Sequence, residues 1–197
     1  MPFSRSGDIC HIFRMSKTKY GLARSSSCFI GAVWAESGTA VGIIRIYLFK
    51  DRSSAVKGIK KDFPKAIRGR CGGEGRLLKK VRLCLEGEKA SFGTRDIVWD
   101  RVSDFQRRIF PVLMSVPRGK VITYKRLARL AGTGSARAVG GAMAKNPLPV
   151  IVPCHRVVGA SRDIGGFQPG RSLKRKLLES EGIRFDRQGK ILKRFFA

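Results

Sequence analysis

Short apolar runs separated by polar turns dominate the first half of the chain and predict a small sheet. Residues 29–36 and 41–49 are built mainly from small and β-branched residues, which favours two strands. Ser37, Gly38 and Thr39 separate the two runs and predict the turn between them.

Helical spacing follows the second predicted strand. Residues 51–61 predict a helix capped by Asp51 or Ser53, because short polar side chains accept hydrogen bonds from the first N–H groups of a helix. A glycine-rich stretch at 68–75 predicts a loop, and leucine and valine at helical spacing in 76–85 predict a second helix. This half contains no catalytic constellation, and we expect it to form a small α+β unit.

A polar stretch at 88–102 predicts a boundary between two units, residues 1–95 and 96–197. Ser103 and Gln106 then have the spacing of a capping box at the start of a helix. Pro111 lies inside this helical pattern and is expected to kink or shorten the helix. The apolar residues of the pattern share one face: Phe105, Ile109, Leu113 and Val116.

Two short helices joined by a Gly-Thr-Gly turn predict a helix-turn-helix. Thr123 would cap the first helix, which carries Leu127 and Leu130. Ser135 would cap the second, and Pro147 would stop it. Basic residues flank both helices, as is typical of DNA-binding motifs of this kind.

The second of these helices carries few bulky side chains. A glycine inside a helix costs about 1 kcal/mol relative to alanine, so a bare surface indicates close approach to a partner. A minor groove about 6 Å wide suits such a slim helix, and close packing against another helix is the alternative. The small residues are Ala136, Ala138, Gly140, Gly141, Ala142 and Ala144.

Positive charge pervades the chain. Its 197 residues include 41 Lys and Arg against 14 Asp and Glu, a net charge of +27. The excess is +12 in residues 1–99 and +15 in residues 100–197, so it is not confined to a tail. Such a surface favours nucleic acid as the partner, with strongly salt-dependent binding, whereas an adaptation for solubility is the alternative.

Rare residue types add weaker indications. Asn146 is the only asparagine, and scarce amides with abundant Lys and Arg suit a thermophile. The cysteine spacings contain no close pair and therefore indicate no zinc site. A metal cluster of Cys10, His11 and Cys28, or a disulfide among the first four cysteines, stays an alternative to buried structural thiols. The five cysteines are Cys10, Cys28, Cys71, Cys84 and Cys154.

No apolar run reaches the roughly 18 residues that a membrane span needs, and the first residues lack the apolar block of a signal peptide. We therefore expect no membrane association. The expected location is the cytoplasm, with the nucleoid if the source is prokaryotic.

Candidate chemistry is concentrated in residues 149–158. Pro149–Val152 is an apolar run that predicts a buried strand, with Cys154 just beyond its end and His155 and Arg156 beside it. Imidazole and guanidinium groups lower the pKa of a thiol, and the thiolate is the nucleophile. The Cys-His pair alone is weak evidence, because adjacent side chains in a strand point to opposite faces, and a buried structural cysteine is the alternative.

The longer string resembles the methylated-DNA–protein-cysteine methyltransferases, or alkylguanine-DNA alkyltransferases. The resemblance covers residues 105–182 and includes the helix-turn-helix, Asn146 with Pro147, the sequence PCHR at 153–156 and the downstream Glu181, in that order. It implies an α+β fold, with a small ribonuclease-H-like N-terminal domain and a mostly helical winged helix-turn-helix C-terminal domain. It also implies irreversible transfer of an alkyl group from 6-O-alkylguanine to the protein's own cysteine, without cofactor or metal.

The resemblance implies a role for each residue of the reacting centre. Cys154 would attack the alkyl carbon, His155 would act as base through a water, and Glu181 would orient His155. Tyr124 would donate a proton to the departing guanine, and Asn146 would tie the recognition helix to the cysteine segment. Taken without the resemblance, Glu181 could equally be a solvated glutamate and Tyr124 a core aromatic.

The implied partner is double-stranded DNA containing alkylated guanine, bound by a monomer through the minor groove. The base must flip, because the alkylated oxygen lies within the pairing edge of the duplex. Arg137 would fill the gap in the stack, and the other implied DNA contacts are Ser135, Ala136, Ala138, Gly140 and Lys125.

The resemblance places the alkylguanine pocket on the second helix and on the segment after the cysteine. Relatives commonly carry Tyr at the Phe167 position and a small residue at the Gln168 position, so the tolerated size of alkyl group stays open. The implied pocket residues are Met143, Val157, Ile164, Gly165, Gly166, Phe167 and Gln168.

Two other functions compete with alkyl transfer. An alkyltransferase-like binding protein would lack the nucleophile that Cys154 supplies. A general basic DNA-coating protein would explain the charge but not the ordered motifs. The tail, residues 183–197, predicts a hairpin or a cover over the core, without an assigned function.

Overall fold

The computed structural model describes residues 17–37, 40–69 and 73–197. Within them, the first half forms a sheet with strand order β3-β2-β1-β4. Strands β1, β2 and β3 are antiparallel neighbours, and β4 runs parallel to β1. Their bounds are β1 Thr18–Arg24, β2 Phe29–Ser37, β3 Ala40–Phe49 and β4 Ile67–Arg68. The two predicted strands are confirmed, whereas β1 and β4 escaped prediction because charged residues and glycine interrupt their apolar pattern.

Both predicted helices of the first half are present. Helix α1 spans Arg52–Asp62, and Asp51 caps it by accepting a hydrogen bond from the backbone N–H of Ser54. Helix α2 spans Gly73–Leu85 and therefore begins inside the predicted glycine-rich loop. Helix α1 packs on one face of the sheet through Ile59, and α2 packs on the other.

Helix α3, Asp104–Met114, begins with the predicted capping box of Ser103 and Gln106. The helix runs three residues beyond Pro111 and ends at Met114, two residues short of Val116, the last apolar position of the predicted pattern. Proline removes one backbone donor, and the complete burial of Phe110 and Leu113 on either side offsets that loss.

The two helices predicted on either side of the Gly-Thr-Gly turn are present as α4, Tyr124–Leu130, and α5, Ala136–Ala144. Thr123 and Ser135 cap the two helices through their hydroxyl oxygens. Leu130 is not a core residue, since 54% of its surface is exposed at the end of α4. A short strand β5, Ile122–Thr123, precedes α4 and pairs in parallel with β6, Val157–Val158.

The segment before the cysteine corrects a prediction. Residues 149–152 form a tight turn closed by an isolated bridge between Pro149 and Val152, not a strand. Val150 adopts a left-handed φ of 76°, which is incompatible with an extended strand. Cys154 consequently opens a 3₁₀ turn, Cys154–Arg156, instead of following a strand.

One hydrophobic core joins the two halves of the chain. Trp34 of the sheet and Val81 of α2 belong to the same buried cluster as Phe110 of α3 and Val139 of α5. Backbone contact adds to this packing, because the N–H of Ile46 in β3 donates to the carbonyl of Pro147 at 2.8 Å. The sheet thereby supports the turn that leads to the cysteine.

The last elements are helix α6, Arg171–Ser180, and a tail that ends in a 3₁₀ turn, Lys193–Phe195. The tail covers a second part of the core, and its bridge between Phe185 and Ile191 is antiparallel, as in a hairpin. None of the described helices combines the length and apolar character needed to cross a bilayer.

Candidate active site

Cys154 lies in a buried and polar setting. Its residue surface is 6% exposed, and its Sγ accepts a hydrogen bond from Nδ2 of Asn146 at 3.1 Å. Burial raises the pKa of the thiol above its usual range, while Asn146, the charge of Lys174 and backbone N–H groups act in the opposite direction. Because burial has the largest effect, the resting group is a thiol that needs a base before it can act as a nucleophile.

Asn146 connects helix α5 to the cysteine turn through both ends of its amide. Nδ2 donates to the carbonyl of Val152 as well as to Cys154, each at 3.1 Å. Oδ1 accepts from the N–H of Leu148 at 2.9 Å. A side chain with a donor and an acceptor at this length is required here, which explains the single asparagine of the sequence.

Glu181 lies at the C-cap of α6 and is bonded to two basic residues. Its Oε1 lies 3.0 Å from Nε2 of His155. Arg156 donates to both carboxylate oxygens, from Nε to Oε2 at 2.9 Å and from Nη2 to Oε1 at 2.7 Å. Although burial acts to raise it, hydrogen bonds from His155 and Arg156 lower the pKa of Glu181 to about 2. Glu181 is therefore a buried carboxylate, and the alternative of a solvated surface glutamate is wrong.

The charge of Glu181 defines the state of His155. An ionised carboxylate can only accept, so Nε2 carries the proton and Nδ1 has the free lone pair. Nδ1 is buried and has no hydrogen-bond partner within the described part of the chain. Burial lowers the pKa of His155, and this effect exceeds the rise caused by Glu181. The imidazole is thus neutral at neutral pH and can accept a proton.

Lys174 is a functional candidate that we did not predict. It is fully buried on α6, and its Nζ donates to the carbonyls of Val157 at 2.6 Å and Gly166 at 3.1 Å. Burial lowers the pKa of Lys174 to about 8, while the nearby Cys154 raises it. One cation therefore supports the thiol electrostatically and fixes the loop that faces it.

A cavity of about 400 Å³ opens onto the thiol. It brings together several residues predicted for the pocket with three of those predicted for catalysis or DNA binding. The side chains of Val157 and Ile164 lie in the hydrophobic core instead. The cavity is lined by Tyr124, Gly140, Met143, Ala144, Cys154, Gly166, Phe167 and Gln168.

Tyr124 faces the same cavity from the start of α4. A Cβ atom on Gly165 would lie 3.7 Å from the Tyr124 hydroxyl oxygen, so the loop passes close to this group. Burial raises the pKa of Tyr124, and the proximity of Cys154 adds to the rise. The hydroxyl is therefore protonated at neutral pH and available as a donor. Phe167 closes another side, with its ring 6.5 Å from that of His155 and nearly perpendicular to it.

Helix α5 presents its small residues to the outside. Val139, Ala142 and Met143 are buried, whereas Ser135, Arg137, Ala138, Gly141 and Ala144 are exposed. Outside the backbone of the helix itself, no atom of the described residues lies within 4 Å of a Cβ built on Gly141, and the nearest to one on Gly140 is in Tyr124 at 4.0 Å. Internal packing therefore does not explain these glycines. Lys125 is also exposed, on the neighbouring helix α4.

Three of the five cysteines lie within the described residues. Cys28, Cys84 and Cys154 are free thiols, and Cys28 lies 3.5 Å from the hydroxyl of Ser25. Within residues 17–37, 40–69 and 73–197, no three His, Cys, Asp or Glu side chains are arranged to hold a metal. Cys10, His11 and Cys71 lie outside the described residues.

Sequence reasoning missed three residues that organise this site: Lys174, Arg156 as the clamp on Glu181, and Gln106. Gln106 donates through Nε2 to the carbonyls of Ala142 at 3.1 Å and Lys145 at 3.2 Å, which ties α3 to the end of α5. For one of them, Lys174, the sequence contains a pattern that predicts burial. Lys174 stands at i, i+3 and i+4 spacing with the apolar positions 177 and 178, so it shares their buried face.

Comparison with known proteins identifies relatives of most of the chain. Residues 104–183 match the family model described as "6-O-methylguanine DNA methyltransferase, DNA binding domain". A curated methylated-DNA–protein-cysteine methyltransferase from Methanothermobacter thermautotrophicus is 35% identical over 161 residues, which is 81% of this chain and 82% of the relative.

Solved structures give the same grouping. The O6-methylguanine-DNA methyltransferase of the hyperthermophilic archaeon Pyrococcus kodakaraensis aligns with a TM-score of 0.64 and 29% identity, over 84% of this chain and 99% of the other. A Mycobacterium tuberculosis OGT solved in complex with DNA aligns with a TM-score of 0.62 and 28% identity, over 84% and 92% of the two chains.

Proposed function

This chain belongs to the methylated-DNA–protein-cysteine methyltransferases, and from that premise we propose that Cys154 is the cysteine that receives the alkyl group. The protein is a DNA repair methyltransferase. The observation that carries the assignment of Cys154 is the placement of its thiol against the cavity, with hydrogen-bonded Asn146 on one side and the His155–Glu181 pair nearby.

The reaction is a single displacement at the alkyl carbon. The sulfur lone pair of Cys154 forms the new S–C bond as the bond between that carbon and O6 of guanine breaks, and the bonding electrons leave with the guanine. The thiol proton goes to Nδ1 of His155 through a water, and a proton from Tyr124 neutralises the guanine. Returning the first proton to Tyr124 leaves unmodified guanine and a thioether, which no group in the site can cleave.

The charges of the site support these roles. Neutral His155 can accept the proton, and the buried carboxylate of Glu181 stabilises the imidazolium that results. Arg156 holds that carboxylate in place through two nitrogen atoms. Since the thioether is stable, each molecule acts once.

The exposed face of α5 supports minor-groove binding. A helix that bears only hydrogen or methyl groups at Gly141, Ala138 and Ala144 can approach the floor of a narrow groove. Arg137 projects from this face and fills the space left by the flipped alkylguanine, which enters the cavity beside Cys154. Ser135, Ala136, Gly140 and Lys125 complete the proposed contact surface.

Membership of this family also supports a more detailed description of the two domains. We infer a ribonuclease-H-like first domain, residues 1–95, from three antiparallel strands followed by a crossover helix and a parallel fourth strand. The second, residues 96–197, is a winged helix-turn-helix domain. The protein acts as a monomer on duplex DNA, beside the chromosome in the cytoplasm.

Repair of a defined oligonucleotide tests the assignment of Cys154. A duplex with methylguanine inside a restriction site regains cleavage when guanine is restored. We expect restoration by the wild type and by Cys84→Ala, a matched loss of a free thiol, but none by Cys154→Ala. Restoration by Cys154→Ala would assign the acceptor to another residue. Binding without restoration by the wild type would favour an alkyltransferase-like protein.

A further inference from the structure

The C-terminal segment, residues 183–197, packs under the loop that borders the cavity, residues 159–168, called here the pocket loop. Ile183 and Ile191 of the segment have no exposed surface. They share a hydrophobic cluster with Ile164 of the pocket loop and with Val121 before α4. The segment is therefore part of the support of the pocket loop and not a loose extension.

Polar bonds fix the same contact. The N–H of Ile191 donates to the carbonyl of Arg162 at 3.0 Å. Two ion pairs flank this bond, Lys190 with Asp163 at 2.6 Å and Arg162 with Asp186 at 3.2 Å. The partners lie on opposite sides, since Lys190 and Asp186 belong to the segment whereas Arg162 and Asp163 belong to the loop.

Both sides of this contact have a defined backbone. In the segment, Oδ1 of Asp186 accepts from the N–H groups of Gln188 and Lys190 at 3.0 and 2.9 Å. In the loop, Arg162 has a left-handed φ of 66°, a strained conformation for a residue with a side chain. Bonds within the loop, from Arg162 N–H to the Gly159 carbonyl and from Gly159 N–H to the Asp163 carbonyl, close this turn, and the bonds to the segment add to them.

The segment also supports the opposite wall of the cavity. The N–H of Val121 donates to the carbonyl of Phe195 at 2.8 Å, and the N–H of Ala197 donates back to Val121 at 2.9 Å. Lys120 adds a bond from its Nζ to the carbonyl of Arg194 at 2.8 Å. Val121 lies only three residues before Tyr124, so the segment contacts the chain at both borders of the cavity.

We propose that the C-terminal segment is a brace that positions the pocket loop and Tyr124 around the flipped alkylguanine, with Lys190 and Asp186 as its positioning residues. The proposal rests on the assignment of the cavity as the alkylguanine pocket. Lys174 fixes the inner side of the loop at Gly166, and the brace fixes its outer side at Arg162 and Asp163. A loop held at one end only would sample open positions and present the base less often to Cys154.

The double variant Lys190→Ala/Asp186→Asn removes both ion pairs without changing the net charge, and Asn keeps the acceptor that organises the turn. The matched control is Lys19→Ala/Glu36→Gln, which removes a 2.6 Å ion pair from the sheet of the first half and also conserves charge. Single-turnover transfer from a methylguanine duplex is measured against protein concentration. Affinity for an undamaged duplex of the same sequence is measured in parallel.

We expect the double variant to lower the transfer rate at saturating protein by roughly three- to tenfold, the range that two partly exposed ion pairs can supply. Affinity for undamaged duplex should match the wild type, as should both measurements for the control. The single variant Lys190→Ala should lose part of the same rate. Exchanging the charges of its ion pair, in Lys190→Asp/Asp163→Lys, should restore most of that loss.

If the wild type transfers the methyl group and the double variant does so at the same rate, the proposed brace is overturned while the proposed function stands. An equal loss in the control, or a loss of undamaged-duplex affinity that parallels the rate, would overturn it too, by indicating a general loss of structure. Absence of transfer in the wild type would overturn the pocket assignment and the brace together.

Discussion

Cys154 is held as a thiol, and the residues around it determine where its proton can go. Burial opposes the thiolate, and it also keeps His155 neutral. Glu181 carries the negative charge of the group, balanced by Arg156. The thiol of Cys154 and the imidazole of His155, the proposed proton donor and acceptor, therefore both start uncharged.

The variant Glu181→Gln tests this charge distribution. In the proposed mechanism the base is neutral His155, so the wild-type rate should fall as the pH drops through the pKa of His155, which burial places below its usual value. Glutamine removes the charge that raises this pKa, so the fall should begin at a still lower pH. The plateau rate should drop about 100-fold, because the imidazolium loses its stabilising charge. Single-turnover rates across the pH range provide the measurement.

Glu179→Gln is the control, since Glu179 lies on the same helix but is exposed. It should leave the plateau and the pH profile unchanged. A Glu181→Gln profile that moves to higher pH, or a plateau equal to that of the wild type, contradicts the roles given to His155 and Glu181.

Sequence and structure differ most at single buried polar residues. The resemblance of the ordered motifs to a known family indicated Cys154, His155 and Glu181, whereas the chemistry of the Cys-His pair alone did not. The roles of Lys174 and Arg156 depend on which carbonyl or carboxylate each one meets across the fold. Such partners lie far apart in sequence, so spacing alone does not reveal them.

At the scale of elements, helix α5 combines a weak helical composition with well-placed caps and contacts. Ser135 caps its start, and Gln106 satisfies carbonyl groups at its end. These contacts offset part of the cost of two adjacent glycines, which packing against the described residues does not explain. In the proposed complex this face contacts DNA, and the two glycines lower the stability of the helix for the sake of that contact.

Substitution of Gly141 separates these two properties. Gly141→Ala should raise the free energy of unfolding by up to about 1 kcal/mol, because the site is open and alanine is the better helix former. Gly141→Leu should retain most of this gain and yet weaken duplex binding at least tenfold, since the larger side chain blocks the groove. Thermal unfolding and duplex affinity measure the two effects. Equal affinities for the leucine and alanine variants would contradict insertion of this face.

The elements differ in how well periodicity predicts them. Caps and amphipathic spacing located α1, α3, α4 and α5, because these signals are local. Strand β1 pairs with β2 along its whole length. Residues 149–152 turn instead of extending, because Asn146 bonds to Val152 at their end while Pro147 just before them is bonded to β3. Both outcomes depend on contacts beyond a short window of sequence.

At the scale of the whole molecule, a shared core ties the sheet to the reacting centre, and positive charge covers both halves. A net charge of +27 predicts binding dominated by contacts to phosphates. Affinity for undamaged duplex should therefore fall at least 100-fold between about 50 and 200 mM salt, with little dependence on base sequence. Titrations at several salt concentrations on two unrelated duplexes provide the test, and salt-independent affinity would contradict it.

The central claim is that Cys154 is consumed in repair. Intact mass after incubation with excess methylguanine duplex tests it most directly, followed by mapping of the modified peptide. The account predicts one added methyl group per chain, located on Cys154, with no further guanine restored after that point. A second methyl group, a methyl group on another residue, or continued turnover by unmodified protein would contradict it.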